Sequence, residues 1–503
     1  MRPVPAETRQ TDQLIGSTGV FMLILAAAVP AIFIWIPDPF ISLVLIGVLA
    51  LAGMSASWEL LIALMLGAAF FVGPVKIYYG GWVPYAIAEI VPVMILLRWL
   101  LAEMQTGGSY LKGTPLSTPF LWLASYLVIE FANPASTILR SLFGFRSWLI
   151  HTMMFFVGYS VYRGADQVER LFRVLALIGV ATAIYGIYQW QQGPAALEAL
   201  GGGYVRYAQE SGYLFWNGRG VGPTFRAPGA YTSSNAFGMN MAFLIVAALG
   251  PLLSKALPFR TRMLYAVSIL VMGIAIPCSG SRAPAAYLGG SLIIIAILMR
   301  QNKAAIAVLP LAYLAVTLGN SVTSGRFINR YATLSDPNTY LWKWLVPLLG
   351  SVTSMNDAFG KGLGYAVGAP ALLGTGRWTE FERNTIDSGY GAVAQELGPP
   401  GLLIFICFAV AVGIAAVKAW RALPPGPTRD AFLGPAVWGI AYPIWTFLAT
   451  PHASLPATLY LWLFLGMLMR AGTISRGAPR DGAPILRVRS APMTSRASRW
   501  RTR

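Results

Sequence analysis

Long apolar stretches recur along the whole chain, and they constrain its fold more than any other feature. We count fourteen stretches of mostly apolar residues, each long enough to cross a bilayer as a helix. Their centres lie near Leu25, Ile46, Met65, Val93, Leu127, Phe155, Ile178, Ala242, Leu270, Ile294, Ala312, Phe405, Trp438 and Leu463. The sequence therefore predicts an all-α polytopic membrane protein with about 14 transmembrane helices, within a range of 11 to 14.

The composition excludes a soluble enzyme of this size. Only 11% of the 503 residues are charged, whereas 56% are hydrophobic; soluble domains carry about 25% charged residues. Bases exceed acids by 37 to 19, and nine arginines lie at or beyond Arg470. Because such a tail is typical of a cytoplasmic end that contacts anionic lipid, we expect membrane lipids and no nucleic acid as its partners.

The distribution of lysine and arginine predicts the orientation. With alternating sides for successive loops, 24 of the 37 basic residues fall on the side of the tail and 13 on the opposite side. The positive-inside rule then places both termini in the cytoplasm. The predicted parts are a cytoplasmic N-terminus (1–14), one transmembrane domain (15–470) with external loops 191–232 and 319–396, and a basic tail (471–503).

Several kinds of chemistry have no signature in the chain. No P-loop, zinc-protease motif or Asp-x-Asp pair occurs, so we expect no metal and no cofactor. Cys278 and Cys407 are interpreted as packing residues, and His151 as a packing or hydrogen-bonding residue. Glu89 is the clearest intramembrane acid; it indicates either ion-coupled transport, an interfacial position or a hydrogen bond between helices.

Arginines next to Gly-, Pro- and Ser-rich turns are the main functional feature of the external side. They are Arg219, Arg226, Arg282, Arg377 and Arg383, whereas Arg140 and Arg146 share a short loop and are interpreted as membrane anchors. Arginine keeps its charge and offers a planar fork of donors that matches phosphate oxygens. A cleft with such residues suits a lipid-linked diphosphate. The loop 319–396 is predicted to be partly helical, with Ser335 as an N-cap.

Three stretches in order resemble the bacterial O-antigen ligase and O-antigen polymerase superfamily. They are RGVGPTFRAPGAYTSSNAFG, CSGSRAPAAYLGG, and the long loop with its GKGLG turn and closing DSGYGAVAQELG, within 219–408. The resemblance implies a GT-C-like glycosyltransferase of the bacterial inner membrane, without metal, which moves a glycan from undecaprenyl diphosphate to a sugar hydroxyl on the external face. Its implied partners are the undecaprenyl-diphosphate-linked oligosaccharide, a glycan acceptor and other polysaccharide-assembly proteins.

The resemblance also implies roles for individual residues. Arg282, with Arg219 or Arg226, would bind the diphosphate, and Asp387 would act as the catalytic base, with Glu382 and Glu396 as less suitable alternatives. Substrate binding would further involve Arg383, Tyr390 and Glu396. Asp387 could instead cap the helix that follows it. Asp38, in a Pro-Asp-Pro turn, would be the catalytic acid of a different class of transferase.

The identity of the reaction depends on one departure from the ligase pattern. Ligases of this family carry a histidine in the long loop, where this chain has Asp387-Ser388-Gly389-Tyr390. This form favours polysaccharide polymerisation. A ligase that acts on lipid A or protein, and a flippase or transporter for lipid-linked sugars, remain the alternatives.

Overall fold

The computed structural model describes the central part of the chain, which is predominantly helical. The described residues are 57–70, 73, 83–106, 113–199, 215–218, 221–231, 233–299, 308–326, 359–366, 388–448 and 455–476. The predicted spans near Leu25 and Ile46, the predicted helix after Ser335 and most of the basic tail lie outside these residues.

The other twelve predicted span centres all lie in helices. The helices are α1 (Trp58–Phe70), α2 (Val83–Thr106), α3 (Ser117–Phe131), α4 (Ile138–Val161), α5 (Ala165–Gln192), α6 (Ala195–Glu198), α7 (Ser234–Leu253), α8 (Phe259–Cys278), α9 (Ala283–Leu298), α10 (Val308–Val322), α11 (Gly389–Ala422), α12 (Pro427–Ala431), α13 (Leu433–Leu448) and α14 (Ala457–Ser475). The strands β1 (Phe215–Gly218) and β2 (Val221–Phe225) form an antiparallel hairpin that the sequence did not predict.

Helix length and composition confirm a helical membrane protein. Within the described part of the chain, five helices are long and apolar enough to cross a bilayer: α5, α7, α8, α11 and α14. The helices α1 and α9 are equally apolar in character but shorter. The full number of fourteen spans and the GT-C-like class stay predictions.

Close helix contacts are made at small residues. In α4, a Cβ atom at Gly158 would overlap the carbonyl oxygen of Leu463, and in α14 a Cβ atom at Gly466 would overlap that of Phe155. The two helices therefore touch through their backbones, as is common where helices pack within a membrane. Of the five helices that are long and apolar enough to cross a bilayer, α7 has the largest buried share of its apolar stretch, 89%.

Contacts along α7, α11 and α13 define the two ends of the bundle. Helix α7 begins beside Ser281, whose hydroxyl lies 2.6 Å from Asn235 Oδ1, and its last turn packs on Asp430. Helix α13 starts near Asp430 and runs back to Pro443, which accepts a 2.9 Å hydrogen bond from the Tyr390 hydroxyl. Helix α11 thus begins at the end that carries Ser281. We call this the arginine end, because Arg226 and Arg282 lie there, and the other the Asp430 end.

Several predicted loop boundaries differ from the structure. Arg140 and Arg146 belong to α4 and not to a short loop. Their charges are tolerated within a helix because each contacts polar groups on neighbouring segments, as described below. The predicted loop 319–396 is helical at both ends, since α10 continues to Val322 and α11 begins at Gly389. Tyr390 and Glu396 are therefore helical residues.

Candidate functional site

Arg226 lies against the turn that connects α8 with α9. Its Nε donates a 3.2 Å hydrogen bond to the carbonyl of Ser279, and the next residue, Ala227, donates from its backbone to the carbonyl of Cys278 at 3.0 Å. Gly280 adopts a φ of 57°, and a Cβ atom there would lie 3.0 Å from Arg226 Cγ. Glycine thus permits both the left-handed turn and the close approach of the arginine side chain.

Arg282 follows directly in the same turn and is the N-cap of α9. The turn is fixed on α7 by the Ser281 hydroxyl and internally by the Ser279 hydroxyl, which accepts from the Ser281 backbone at 3.2 Å. Arg226 and Arg282 are both half-buried. The structure therefore brings together two arginines that are 56 positions apart in the sequence, on a rigid turn built from small residues.

The segment after Arg226 is held by the end of α5. Gln189 Nε2 donates to the carbonyl of Gly229 at 3.2 Å, and Trp190 Nε1 donates to the carbonyl of Val322 at 3.3 Å. Cys278 is buried beneath this segment in an apolar cluster with Phe225, consistent with a packing role. Cys407, by contrast, is exposed on α11. The ends of α5, α8 and α10 thus meet at the arginine end.

The start of α11 supplies a further part of the site. Ser388 is its N-cap, and its buried hydroxyl accepts from the backbone of Gly391 at 3.5 Å. The idea that Asp387 caps this helix is therefore wrong, because the neighbouring serine does so. Asp387 itself lies outside the described residues, as do Arg219, Arg377, Glu382, Arg383 and Asp38.

Tyr390, in the first turn of α11, contacts α13 at the arginine end. Its hydroxyl donates to the carbonyl of Pro443 in α13, and its ring lies 6.0 Å from that of Phe405. The side chain is half-buried. These contacts hold the first turn of α11, and with it the backbone that immediately follows Asp387.

Glu396 contacts a glycine-rich turn formed by residues 359–366. Its Oε1 accepts from the backbone of Gly364 at 2.5 Å and from Trp148 Nε1 at 3.3 Å, and the residue is fully buried. Two backbone bonds join the turn to α11 as well: Lys361 donates to Gln395 at 2.7 Å, and Gly362 donates to Glu396 at 3.0 Å. The carboxylate thus holds the turn against the helix.

Positive φ angles explain the glycines in this turn. Gly360, Gly362 and Gly364 have φ values of 65°, 83° and 86°. A Cβ atom on Gly364 would overlap the carbonyl of Arg140 in α4. Arg140 in turn donates from Nη2 to the carbonyl of Lys361 at 2.7 Å. Arg140 therefore joins α4 to the turn, and the sequence-based description of it as a membrane anchor is incomplete.

A polar group at the end of α3, which the sequence did not predict, contacts the same turn. Asn133 donates from Nδ2 both to Glu130 Oε2 and to the carbonyl of Phe359, each at 3.0 Å. Glu130 is fully buried, and the Tyr126 hydroxyl donates to the carbonyl of Leu397 at 2.8 Å. An acid followed by Asn and Pro at the end of an apolar stretch is the only local signal for this group.

No family model matches the chain, and no curated protein matches it. Within the described part of the chain, no group of three or more His, Cys, Asp or Glu side chains is arranged to hold a metal ion. The candidate site consists of Arg226 and Arg282, the start of α11 and the glycine-rich turn formed by residues 359–366.

Proposed function

We propose that the protein is a membrane glycosyltransferase of the O-antigen polymerase and ligase type, with polymerisation as its favoured reaction. It transfers a glycan from undecaprenyl diphosphate to a sugar hydroxyl on the external face of the inner membrane. The observation that supports this proposal is the contact of Arg226 with the turn that carries Arg282, at the end of the bundle where α11 begins directly after Asp387.

The arginines have the chemistry that a diphosphate leaving group requires. Charge accumulates on the diphosphate as its bond to the sugar breaks, and preorganised donors stabilise that charge better than mobile water does. Arg226 and Arg282 are held by a rigid turn, so little reorganisation is needed when the substrate binds. Arg226 is favoured over Arg219 as the partner of Arg282 in binding the diphosphate, because Arg226 contacts the turn that carries Arg282.

Asp387 is the proposed base. Its carboxylate takes the proton of the acceptor hydroxyl while the acceptor oxygen forms a bond to the anomeric carbon and the bond from that carbon to the diphosphate oxygen breaks. Arg383 is proposed to bind substrate near Asp387. Tyr390 and Glu396 are assigned positioning roles, because the Tyr390 hydroxyl and Glu396 Oε1 bond to the protein backbone.

The test is the surface glycan of a deletion strain that is complemented with variants. Asp387→Asn and Arg282→Ala should each abolish glycan assembly while the protein is inserted at normal abundance. Arg487→Ala in the tail is the control and should be silent. Full activity of Asp387→Asn or Arg282→Ala would contradict the role given to that residue.

The size profile of the glycan and of its carrier lipid separates the alternatives. Single repeat units in place of long chains in the deletion strain would identify a polymerase. Long chains that stay on undecaprenyl diphosphate would identify a ligase. Lipid-linked sugar trapped on the cytoplasmic leaflet would identify a flippase and contradict glycosyl transfer.

A further inference from the structure

A cavity of about 570 Å³ lies at the Asp430 end, between the start of α5, the end of α7 and the short helix α12. Its charged lining comes from the first three turns of α5 and consists of Asp166, Glu169, Arg170 and Arg173. Its apolar lining includes Pro251, Leu257, Pro427 and Ala431. The cavity therefore has a charged wall on one helix and apolar walls on the others.

The two arginines of the cavity are oriented by neighbouring carboxylates and keep unused donors. Arg170 donates to Glu59 from Nε and Nη2, at 3.3 and 2.8 Å, and Arg173 uses the same two nitrogens for Glu169. The N–H groups on Nη1 of each guanidinium point away from these carboxylates. The side chains of Arg170 and Arg173 are 32% and 48% exposed. They thus offer accessible donors, held in place, that match phosphate oxygens.

The depth of the arginines agrees with that of lipid phosphates. Arg173 is followed by 19 residues of α5 without a charged side chain, 174–192. At 1.5 Å per residue this stretch is ~28 Å long, close to the thickness of the hydrocarbon layer. Beyond Arg173 the exposed face of the helix is apolar, at Leu177, Ala181 and Ile184. With the proposed orientation, Arg173 lies at the inner edge of the head groups in the cytoplasmic leaflet.

Asp166 lies on the outer side of the arginines. It precedes Arg170 by four residues, or ~6 Å along the helix, and makes no ion pair within the described part of the chain. The two acids and two bases of the lining sum to zero charge. From the membrane outwards, α5 therefore presents an apolar face, two arginines and a carboxylate. A phospholipid with an amine in its head group presents an acyl chain, a phosphate and an ammonium in the same order.

We propose that this cavity binds a phospholipid of the cytoplasmic leaflet whose head group carries an amine, as in phosphatidylethanolamine. The phosphate accepts from Nη1 of Arg170 and Arg173, the ammonium donates to Asp166, and an acyl chain lies along Leu177 and Ile184. A glycerol head group brings no positive charge to Asp166, so the lining and the lipid together would carry a surplus negative charge. Choline brings the charge but has no N–H donor.

Lipid retention by the purified full chain tests the proposal. The protein is delipidated in detergent, incubated with equal amounts of dioleoyl phosphatidylethanolamine and phosphatidylglycerol, and examined by native mass spectrometry. We expect the wild type to retain phosphatidylethanolamine about tenfold more, which corresponds to ~1.4 kcal/mol. Asp166→Asn should retain the two lipids about equally, because the amide neither attracts the ammonium nor repels a second anion. Equal retention by the wild type would contradict the proposal.

A double variant tests the phosphate contact. Glu169→Gln combined with Arg173→Gln replaces the ion pair by two amides, so no unpaired charge stays behind, and it should reduce the retention of both lipids. Arg421→Gln is the control, because it removes an exposed arginine of the last turn of α11, outside the cavity lining. An equal reduction in both proteins would show that only the general charge of this end matters, and would contradict the site.

Two tryptophan variants make the test independent of the charged residues. Leu257→Trp fills the cavity and should abolish the preference, whereas Leu403→Trp replaces a leucine that is 63% exposed on α11, outside the lining, and should behave as the wild type does. Unchanged retention in Leu257→Trp would contradict the proposal.

The soluble head group separates a lipid from a free phosphate compound. Glycerophosphoethanolamine, which lacks acyl chains, should not displace the bound lipid, because it makes no contact along α5. Displacement would assign the cavity to a soluble phosphate compound instead. No residue of this cavity takes part in the proposed glycosyl transfer, so either result leaves that proposal unaffected.

Discussion

The backbone N–H of Gly364 donates a hydrogen bond of 2.5 Å to Oε1 of Glu396, a residue 32 positions later in the chain. This contact joins the glycine-rich turn to the first turns of α11. The chain between Ala366 and Ser388 contains Arg383 and Asp387, and both ends of that segment are held at the same helix. A buried carboxylate thus anchors the turn that precedes the segment carrying the proposed base.

Replacing Glu396 distinguishes a positioning carboxylate from a catalytic one. Glu396→Gln keeps an acceptor for Gly364 and Trp148, so we expect a change in unfolding free energy within about 1 kcal/mol and retained glycan assembly. Glu396→Ala leaves both donors unsatisfied and should cost roughly 2–5 kcal/mol. Thermal unfolding in detergent and the glycan size profile check both expectations. Loss of glycan assembly in a stable Glu396→Gln protein would show that the carboxylate acts chemically.

Gly364→Ala tests the turn itself. Its φ of 86° is unfavourable for alanine, and the new Cβ would overlap the carbonyl of Arg140. We expect a destabilisation of roughly 2–4 kcal/mol. Gly290→Ala is the matched control, because a Cβ atom there meets nothing within 4 Å inside α9 and should stabilise the helix by up to about 1 kcal/mol. Equal melting temperatures for the two variants would contradict the described packing of the turn.

The sequence was sufficient for those features that depend on local pattern. Apolar length located the helices around twelve predicted centres, because a helix that crosses hydrocarbon must be apolar over its whole length. Small residues and glycine around Arg282 indicated a tight turn, which Gly280 now forms. The approach of Arg226 to that turn was expected only from the resemblance.

Contacts between distant residues could not be read from the pattern. Asn133 meets Phe359 across 226 positions, and Trp148 meets Glu396 across 248. Nothing local distinguishes Glu396 from an ordinary interfacial acid. The position of Arg146 within α4 was missed for the same reason, since its partner Glu89 lies on another helix and a lone arginine resembles a loop residue.

The carboxyl group of Asp430 should make the stability of the protein depend on pH. Burial raises the pKa of Asp430 above its ordinary value, and Ser254 and Arg429 only partly offset this effect. The folded state favours the protonated carboxyl group. The contribution of Asp430 to the free energy of unfolding is therefore complete at low pH, and it is lost as the pH rises through the pKa of the folded state. The amide in Asp430→Asn does not titrate. The melting temperature of this variant should therefore rise relative to that of the wild type as the pH increases from about 4. A difference that is independent of pH would contradict this assignment.

Arg226→Lys tests whether the fork of donors matters beyond its charge. Lysine keeps the positive charge but loses the Nε donor to Ser279 and the paired geometry for a diphosphate, so we expect glycan assembly to fall about 10- to 100-fold. Arg262→Lys is the matched control: Arg262 also donates from Nε to a backbone carbonyl, that of Leu252, at 3.1 Å, but at the Asp430 end. Both variants lose one such bond and should be similarly stable. Chain-length profiles at matched protein abundance give the comparison. An equal loss in both variants would assign Arg226 a structural role, and a loss in Arg226→Lys alone would support contact with the diphosphate.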